Sequence, residues 1–187
     1  MQSLVFRCLR LVLAVLVLPS TAPVFAQPVD DRALETALGH FNRARHNDPD
    51  QIEAAIAAFQ AAPANPALQP LYSAYLGSAY TLRAKAAWLP WRKLNYTEQG
   101  LDHIDQALAA LRSEHDRVLV QGTPASLVTR MTAAATFVAL PDGIFHRRAA
   151  GHALLAELRR SPLLAAAPAG FRAELDALES RAREAGK

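Results

Sequence analysis

Apolar side chains recur along this chain three and four positions apart, the spacing of a helix that lays one face on a core. Leu34, Ala37, Leu38 and Phe41 form such a stripe over residues 31–46. Ile52, Ala55, Ile56 and Phe59 form a second, closed by Pro63 and Pro66. A third covers about 67–87, with Leu71, Tyr75, Leu76, Ala79 and Leu82 inward, and the fourth carries Leu101, Ile104, Leu108 and Leu111. Leu127, Met131, Ala134 and Val138 mark a fifth, and Leu154, Leu155 and Leu158 the apolar end of a sixth over about 143–160. Phe171, Leu175, Leu178 and Ala182 mark a seventh over about 168–185. No stretch alternates strictly between bounding hairpin signals, so no strand is expected. The pattern predicts an all-α fold of about seven helices, and the short connections predict antiparallel helix pairs.

Polar residues place the expected helix ends. Asp48 reads as an N-cap, with Pro49 in the first helical position and Gln51 reaching back to complete a capping box. Asn95 and Glu98 form a second capping box, opening the fourth helix and leaving Glu98, Asp102 and Asp105 towards water. Thr123 and Pro124 cap the fifth helix, Pro141 ends it, Asp142 caps the sixth, and Ser161 with Pro162 stops that one. Arg159 and Arg160 in its last turn suit the helix dipole. Glu179 and Arg183 are spaced for an ion pair on the last helix.

Composition sharpens this picture at the start of the chain. Arg7 and Arg10 precede an unbroken apolar run over residues 11–18, Pro19 follows, and Val24-Phe25-Ala26 has the small-x-small form of a cleavage site. Residues 1–26 are therefore expected to be a secretory signal peptide, with Gln27 as the first mature residue. The apolar run is much shorter than the roughly 20 residues of a membrane-spanning helix. Residues 27–187 remain as a single α-helical domain with no expected membrane span. Cleavage would remove the only cysteine, Cys8, and with it any disulfide or thiol chemistry. It would also lower the formal net charge from +3 to +1. The alkaline isoelectric point is then no argument for nucleic acid. The expected compartment is the periplasm, with release beyond the cell as the alternative.

Two segments carry a more specific signal. Leu76-Gly77-x-x-Tyr80 and Ala55-x-x-x-Phe59, with Ala62 and the prolines after it, match the two halves of a helix-pair repeat. Gly100-x-x-x-Ile104-x-x-Ala107 is a looser second half. Over residues 50–111 the chain resembles tetratricopeptide-repeat proteins, and as a whole it is similar to uncharacterised exported bacterial proteins with helical repeats. The resemblance implies a solenoid of stacked helix pairs in which small residues let backbones approach, with a concave face that holds a peptide or partner helix. Ser73, Ser78, Arg83 and Arg130 would line that face. Three departures stand out. Gly77 and Gly100 are 23 positions apart, which is about 11 more than the repeat spacing allows. Asn42 and Arg43 occupy the Leu-Gly positions of the first unit. The segment after residue 111 shows almost none of the pattern.

The extra length is filled by residues 88–96, WLPWRKLNY. Trp88, Trp91 and Tyr96, with Arg83, Arg92 and Lys93 close by, are the residue types that dominate binding hot spots. This insert is the candidate partner-binding element. The alternative is a structural plug, in which both tryptophans fold back onto the core and Pro90 shapes a turn.

Chemistry beyond recognition has little to stand on. His40 and His46, like His146 and His152, are six positions apart, roughly 240° round a helix, so neither pair makes a helical metal site. Asp102 and His103, and His115 and Asp116, are neighbours whose side chains diverge on a helix. The histidines read as surface or capping residues. No Gly-x-Ser-x-Gly, phosphate loop or mature cysteine nucleophile is present. No metal, cofactor or catalytic residue is expected. The reading is an exported helical-repeat binding or scaffold protein with an unknown protein or peptide partner. The alternative is an accessory subunit or small hydrolase whose site assembles from distant residues.

Overall fold

The structure, a computed structural model, describes residues 27–28, 32–46, 48–61 and 65–184. The expected signal peptide, Asp31, Ala62 and Pro63 lie outside them. The described chain is mostly helical: α1 (Arg32–Arg45), α2 (Gln51–Gln60), α3 (Gln69–Ala86), α4 (Pro90–Ala110), α5 (Ala125–Ala139), α6 (Asp142–Phe145), α7 (Arg148–Arg160) and α8 (Ala169–Glu184). The helices pack mainly as pairs, α1 with α2, α3 with α4 and α5 with α7, and α3 also packs against α2 and α5. The helix α8 lies against α5 and α7. Among the described residues no helix is long and apolar enough to cross a membrane.

The predicted stripes form two adjoining cores. One gathers Leu34, Phe41, Ile52, Ile56, Phe59, Leu71 and Tyr72 between α1, α2 and α3. The other gathers Ile104, Leu127, Phe137, Leu158 and Leu175 between α4, α5, α7 and α8. Aromatic rings tie the first together: Phe59 stacks on Tyr75 with ring centres 5.6 Å apart, and Phe41 meets Tyr75 edge-on at 5.2 Å.

Gly77 on α3 and Gly100 on α4 mark a close backbone approach. A Cβ at Gly77 would stand 2.4 Å from the Gly100 carbonyl oxygen and 2.7 Å from Ile104 Cγ1. One at Gly100 would stand 2.5 Å from the Gly77 oxygen. Leu76, Tyr80, Ile104 and Ala107 are buried beside this crossing, as are Ala55 and Phe59 on α2. Gly151 plays the same part for the next pair, where an added Cβ would meet Val138 Cγ2 at 2.9 Å.

Several expected ends fall elsewhere. α4 begins at Pro90, five residues before Asn95, and its first turn carries no side-chain cap. Proline suits a first turn because its missing N–H has no helical partner there. Pre-set by Pro90, the helix runs straight through the expected capping box. The Asn95 side chain instead hydrogen-bonds Gln99. α2 begins at Gln51 with no side-chain cap. The Gln51 Oε1 accepts from Arg43 Nη2 at 3.1 Å and pairs with His40 Nδ1 at 2.8 Å, so it is not free to reach back. The sixth predicted helix is split. His146 takes a left-handed conformation at φ 52°, and Asp142 Oδ1 accepts the Arg148 amide at 2.9 Å, so it caps α7 from six residues away. This break makes eight described helices instead of seven. Glu179 bonds Arg159 of α7 at 2.7 Å, while Arg183 bonds Ser180 at 2.9 Å. An inter-helix partner with a bidentate fork displaces the expected neighbour pair.

A small sheet was not expected. β1 (Gln27–Pro28) pairs in parallel with β2 (Val118–Val120), which pairs antiparallel with β3 (Thr123–Pro124). Gln121 and Gly122 turn the hairpin with φ of 49° and 78°. A two-residue turn with both φ positive is the type that matches strand twist. Thr123 and Pro124 therefore serve as a strand, and α5 starts at Ala125 without a side-chain cap.

Candidate functional site

α3 and α5 run side by side in one direction. Leu71 and Ala125 share the first core near their starts, and Lys85 and Ala139 face one groove near their ends. The Ser78 hydroxyl of α3 and the Thr136 hydroxyl in the last turn of α5 are 2.7 Å apart, and Thr136 donates to the Thr132 carbonyl at 2.9 Å. Ser78 is therefore the donor in the bridge between the helices. Thr129 and Thr132 also donate to carbonyls four residues back, while the buried Ser126 hydroxyl on the same helix has no hydrogen-bond partner among the described residues.

Together with α1 and α8, these helices enclose an open groove of about 680 Å³. Its walls are Phe41, Tyr75, Leu82, Val128, Met131, Phe171 and Leu178, and its floor carries Ser78, Thr132 and Thr136. Burial pushes the Tyr75 phenol above its usual range, so the group stays neutral; a hydrogen bond to Thr132 and the Arg45 charge act the other way. Arg45, Lys85 and Arg181 stand at the rim with one carboxylate, Glu174. Arg45 leans over the Phe41 ring at 5.8 Å. Among the described residues none of these four makes an ion pair, whereas Arg83, Arg130, Arg147 and Arg159 all do. A cavity of this size with apolar walls and a few convergent polar groups is the usual form of a binding site.

Of the residues expected on a concave face, only Ser78 lines this groove. Arg130 pairs with Glu157 of α7 at 3.7 Å, and Ser73 accepts from Gln69 of its own helix. Arg83 pairs with Glu53 of α2 at 2.8 Å and lies over the Tyr96 ring at 4.5 Å. The groove residues on α8 and α1 carried no signal of their own, because only the fold brings Arg181, Glu174 and Arg45 together.

The insert is the end of a helical hairpin and is not a loop. Trp88 and Leu89 make the bend from α3, and residues 91–95 are exposed around the whole first turn of α4. Trp88 is 89 % exposed and Trp91 65 %, so neither tryptophan plugs the core. Arg92 and Lys93 are exposed beside them, and Tyr96 is half-buried against Arg83. A shallow hollow of about 380 Å³ lies between Trp88, Arg92, Tyr96 and Glu53.

The histidines divide by environment. His115 is buried and its Nδ1 accepts the Arg112 amide at 2.9 Å, a cap on a short 3-10 turn. His103 stacks on Tyr80 with ring centres 5.6 Å apart. Burial lowers its pKa, with the Asp102 carboxylate in partial opposition. A histidine whose folded pKa lies below its unfolded value of about 6.5 binds fewer protons folded than unfolded. Its contribution to stability is complete above that value and is lost as pH falls through the folded pKa. The melting midpoint of wild type should therefore fall more between pH 7 and pH 5 than that of His103→Gln. Parallel pH profiles would remove His103 as a source of acid sensitivity.

No protein-family model matches this chain, and neither does any curated protein or solved structure.

Proposed function

We propose that this protein is an exported helical-repeat binding module of the cell envelope that holds an extended, acidic polypeptide segment in the groove between α1, α3, α5 and α8. The observation that carries the reading is the rim: Arg45, Lys85 and Arg181 face a single carboxylate and have no ion-pair partner among the described residues. Apolar walls below such a rim suit alternate side chains of an extended peptide, and its carboxylates meet the cations. The architecture behind the groove is a tetratricopeptide-like stack of three helix pairs, α1–α2, α3–α4 and α5–α7, with α8 closing its end. Close crossings at Gly100 and Gly151, and the buried Ala55 on α2, support that reading. The signal-peptide pattern of residues 1–26 supports export, with the periplasm as the proposed compartment and release beyond the cell as the alternative.

Selection from a random peptide library against the purified protein tests the groove. The selected peptides should be enriched in Asp and Glu interleaved with apolar residues, and raising the salt should weaken them several-fold. Ala135→Trp, which places an indole in the groove from α5, should compete with the peptide and weaken binding at least tenfold. Selection of basic peptides, or binding unchanged by Ala135→Trp, would refute the assignment.

A further inference from the structure

The groove leaves the opposite kind of surface unexplained: a convex tip on which large apolar side chains have no protein partner. We propose that the end of the α3–α4 hairpin seats peripherally on an anionic lipid bilayer. This goes beyond the groove reading and does not depend on it.

Trp88, Trp91 and Leu94 are 89 %, 65 % and 45 % exposed and stand within two helical turns of one apex. The next two residues after Trp91 are Arg92 and Lys93, both exposed and without an ion pair among the described residues. No Asp or Glu occurs between Arg83 and Glu98, and the one carboxylate beside the hollow behind Trp88, Glu53 of α2, is paired with Arg83, which leaves Arg92 and Lys93 as the uncompensated charges of the apex. Behind it the hairpin is braced: Arg83 is held by Glu53 at 2.8 Å and covers the Tyr96 ring. The tip is thus a stiff wedge that presents its rings outward.

Tryptophan favours the boundary between water and hydrocarbon, where its apolar ring and its N–H are both accommodated. Arginine and lysine next to it extend their stems along the apolar layer and place their charges among phosphates. An anionic headgroup layer satisfies both requirements at once. A protein partner fits the shape less well, because hot-spot residues lie at the centre of a patch whose surrounding contacts exclude water. Residues 91–95 are exposed on every side and have no such surround.

The chain holds two tryptophans, and both lie at this tip, so its selectively excited tryptophan emission reports the tip alone. The protein is titrated with phosphatidylcholine vesicles, with and without phosphatidylglycerol, and with vesicles carrying brominated acyl chains. The proposal expects a blue shift and bromine quenching on anionic vesicles, and at least tenfold weaker partition onto neutral ones or at high salt. Arg92→Gln with Lys93→Gln should lose that anionic preference. Trp88→Ala with Trp91→Ala should lower co-sedimentation at least tenfold at an unchanged melting midpoint. Unshifted emission on anionic vesicles, equal partition onto neutral ones, or full co-sedimentation of the double alanine variant would overturn it. So would a blue shift with polyglutamate but not with vesicles, which would make the tip a contact for acidic protein.

Discussion

Gly77→Val should leave the protein largely unfolded, and Gly77→Ala should cost at least about 3 kcal/mol, at the upper end of what overpacking a core costs. The obstacle is backbone. A Cβ at Gly77 falls 2.4 Å from the Gly100 carbonyl oxygen, and no rotamer can move a carbonyl that belongs to a helix. α3 and α4 would have to separate, which opens space around Ile104 and Ala79, both completely buried. The better helix propensity of alanine returns only about 1 kcal/mol. A domain of this kind is stable by about 5–15 kcal/mol, so a branched side chain at this point removes a large part of it. Gly39→Ala is the internal control. Its Cβ would meet only Arg43 Nη1, 3.8 Å away at ordinary van der Waals distance, and the variant should be as stable as wild type or up to about 1 kcal/mol better. Urea denaturation of the three proteins checks this, and an unchanged midpoint for Gly77→Ala would rule out the close crossing.

Phe137→Ala should destabilise by about 3–5 kcal/mol, the range found for large aromatic truncations in cores. Phe137 is 1 % exposed and is among the largest fully buried side chains. One side of its ring is covered by the Arg147 guanidinium at 5.3 Å, which Asp105 of α4 holds through two hydrogen bonds of 2.6 and 3.1 Å. Truncation would therefore leave a cavity and also remove the ring that supports the ion pair between Asp105 of α4 and Arg147, the residue before α7. Gly151 packs against the same residue from α7, so the cavity sits at a helix crossing that cannot collapse without shifting both helices. Denaturant unfolding followed by circular dichroism measures the loss. A cost below about 1 kcal/mol, the typical effect of an ordinary substitution, would mean that the α5–α7 pair is packed differently.

The helices were legible where burial is one-sided. The stripe of Leu34, Ala37, Leu38 and Phe41 and that of Ile52, Ala55, Ile56 and Phe59 are buried throughout, because an amphipathic period leaves one solution for each helix. The glycine crossing was legible through the repeat resemblance, in which small residues let backbones approach, and Gly77 and Gly100 do stand where an added Cβ would meet the facing backbone. Caps were less legible. Asn95 and Glu98 offer a local start signal, but Pro90 offers an earlier one, and propagation of a helix already begun is favoured over a second nucleation. The extra residues between the glycines lengthen both helices and push the hairpin end outward, which is why Trp88 and Trp91 are exposed where composition alone leaves a plug open. The hairpin between β2 and β3 did have a signal, Gln121-Gly122, too short a feature to stand out without strands on either side. The groove had none. Its rim takes Arg45 from α1, Lys85 from α3 and Arg181 from α8, residues that read one by one as solvated positions and acquire meaning only when packing collects them.

The most direct test of the groove assignment is the affinity of one selected acidic peptide for three proteins: wild type, Lys85→Glu with Arg181→Glu, and Trp88→Ala with Trp91→Ala. Reversal of two rim charges should weaken binding at least tenfold with little change in melting, since neither side chain has an ion-pair partner to lose among the described residues. The tryptophan variant should bind the peptide as wild type does. The opposite pattern, with binding insensitive to the rim and lost with the tryptophans, would contradict the account and move recognition from the groove to the hairpin tip.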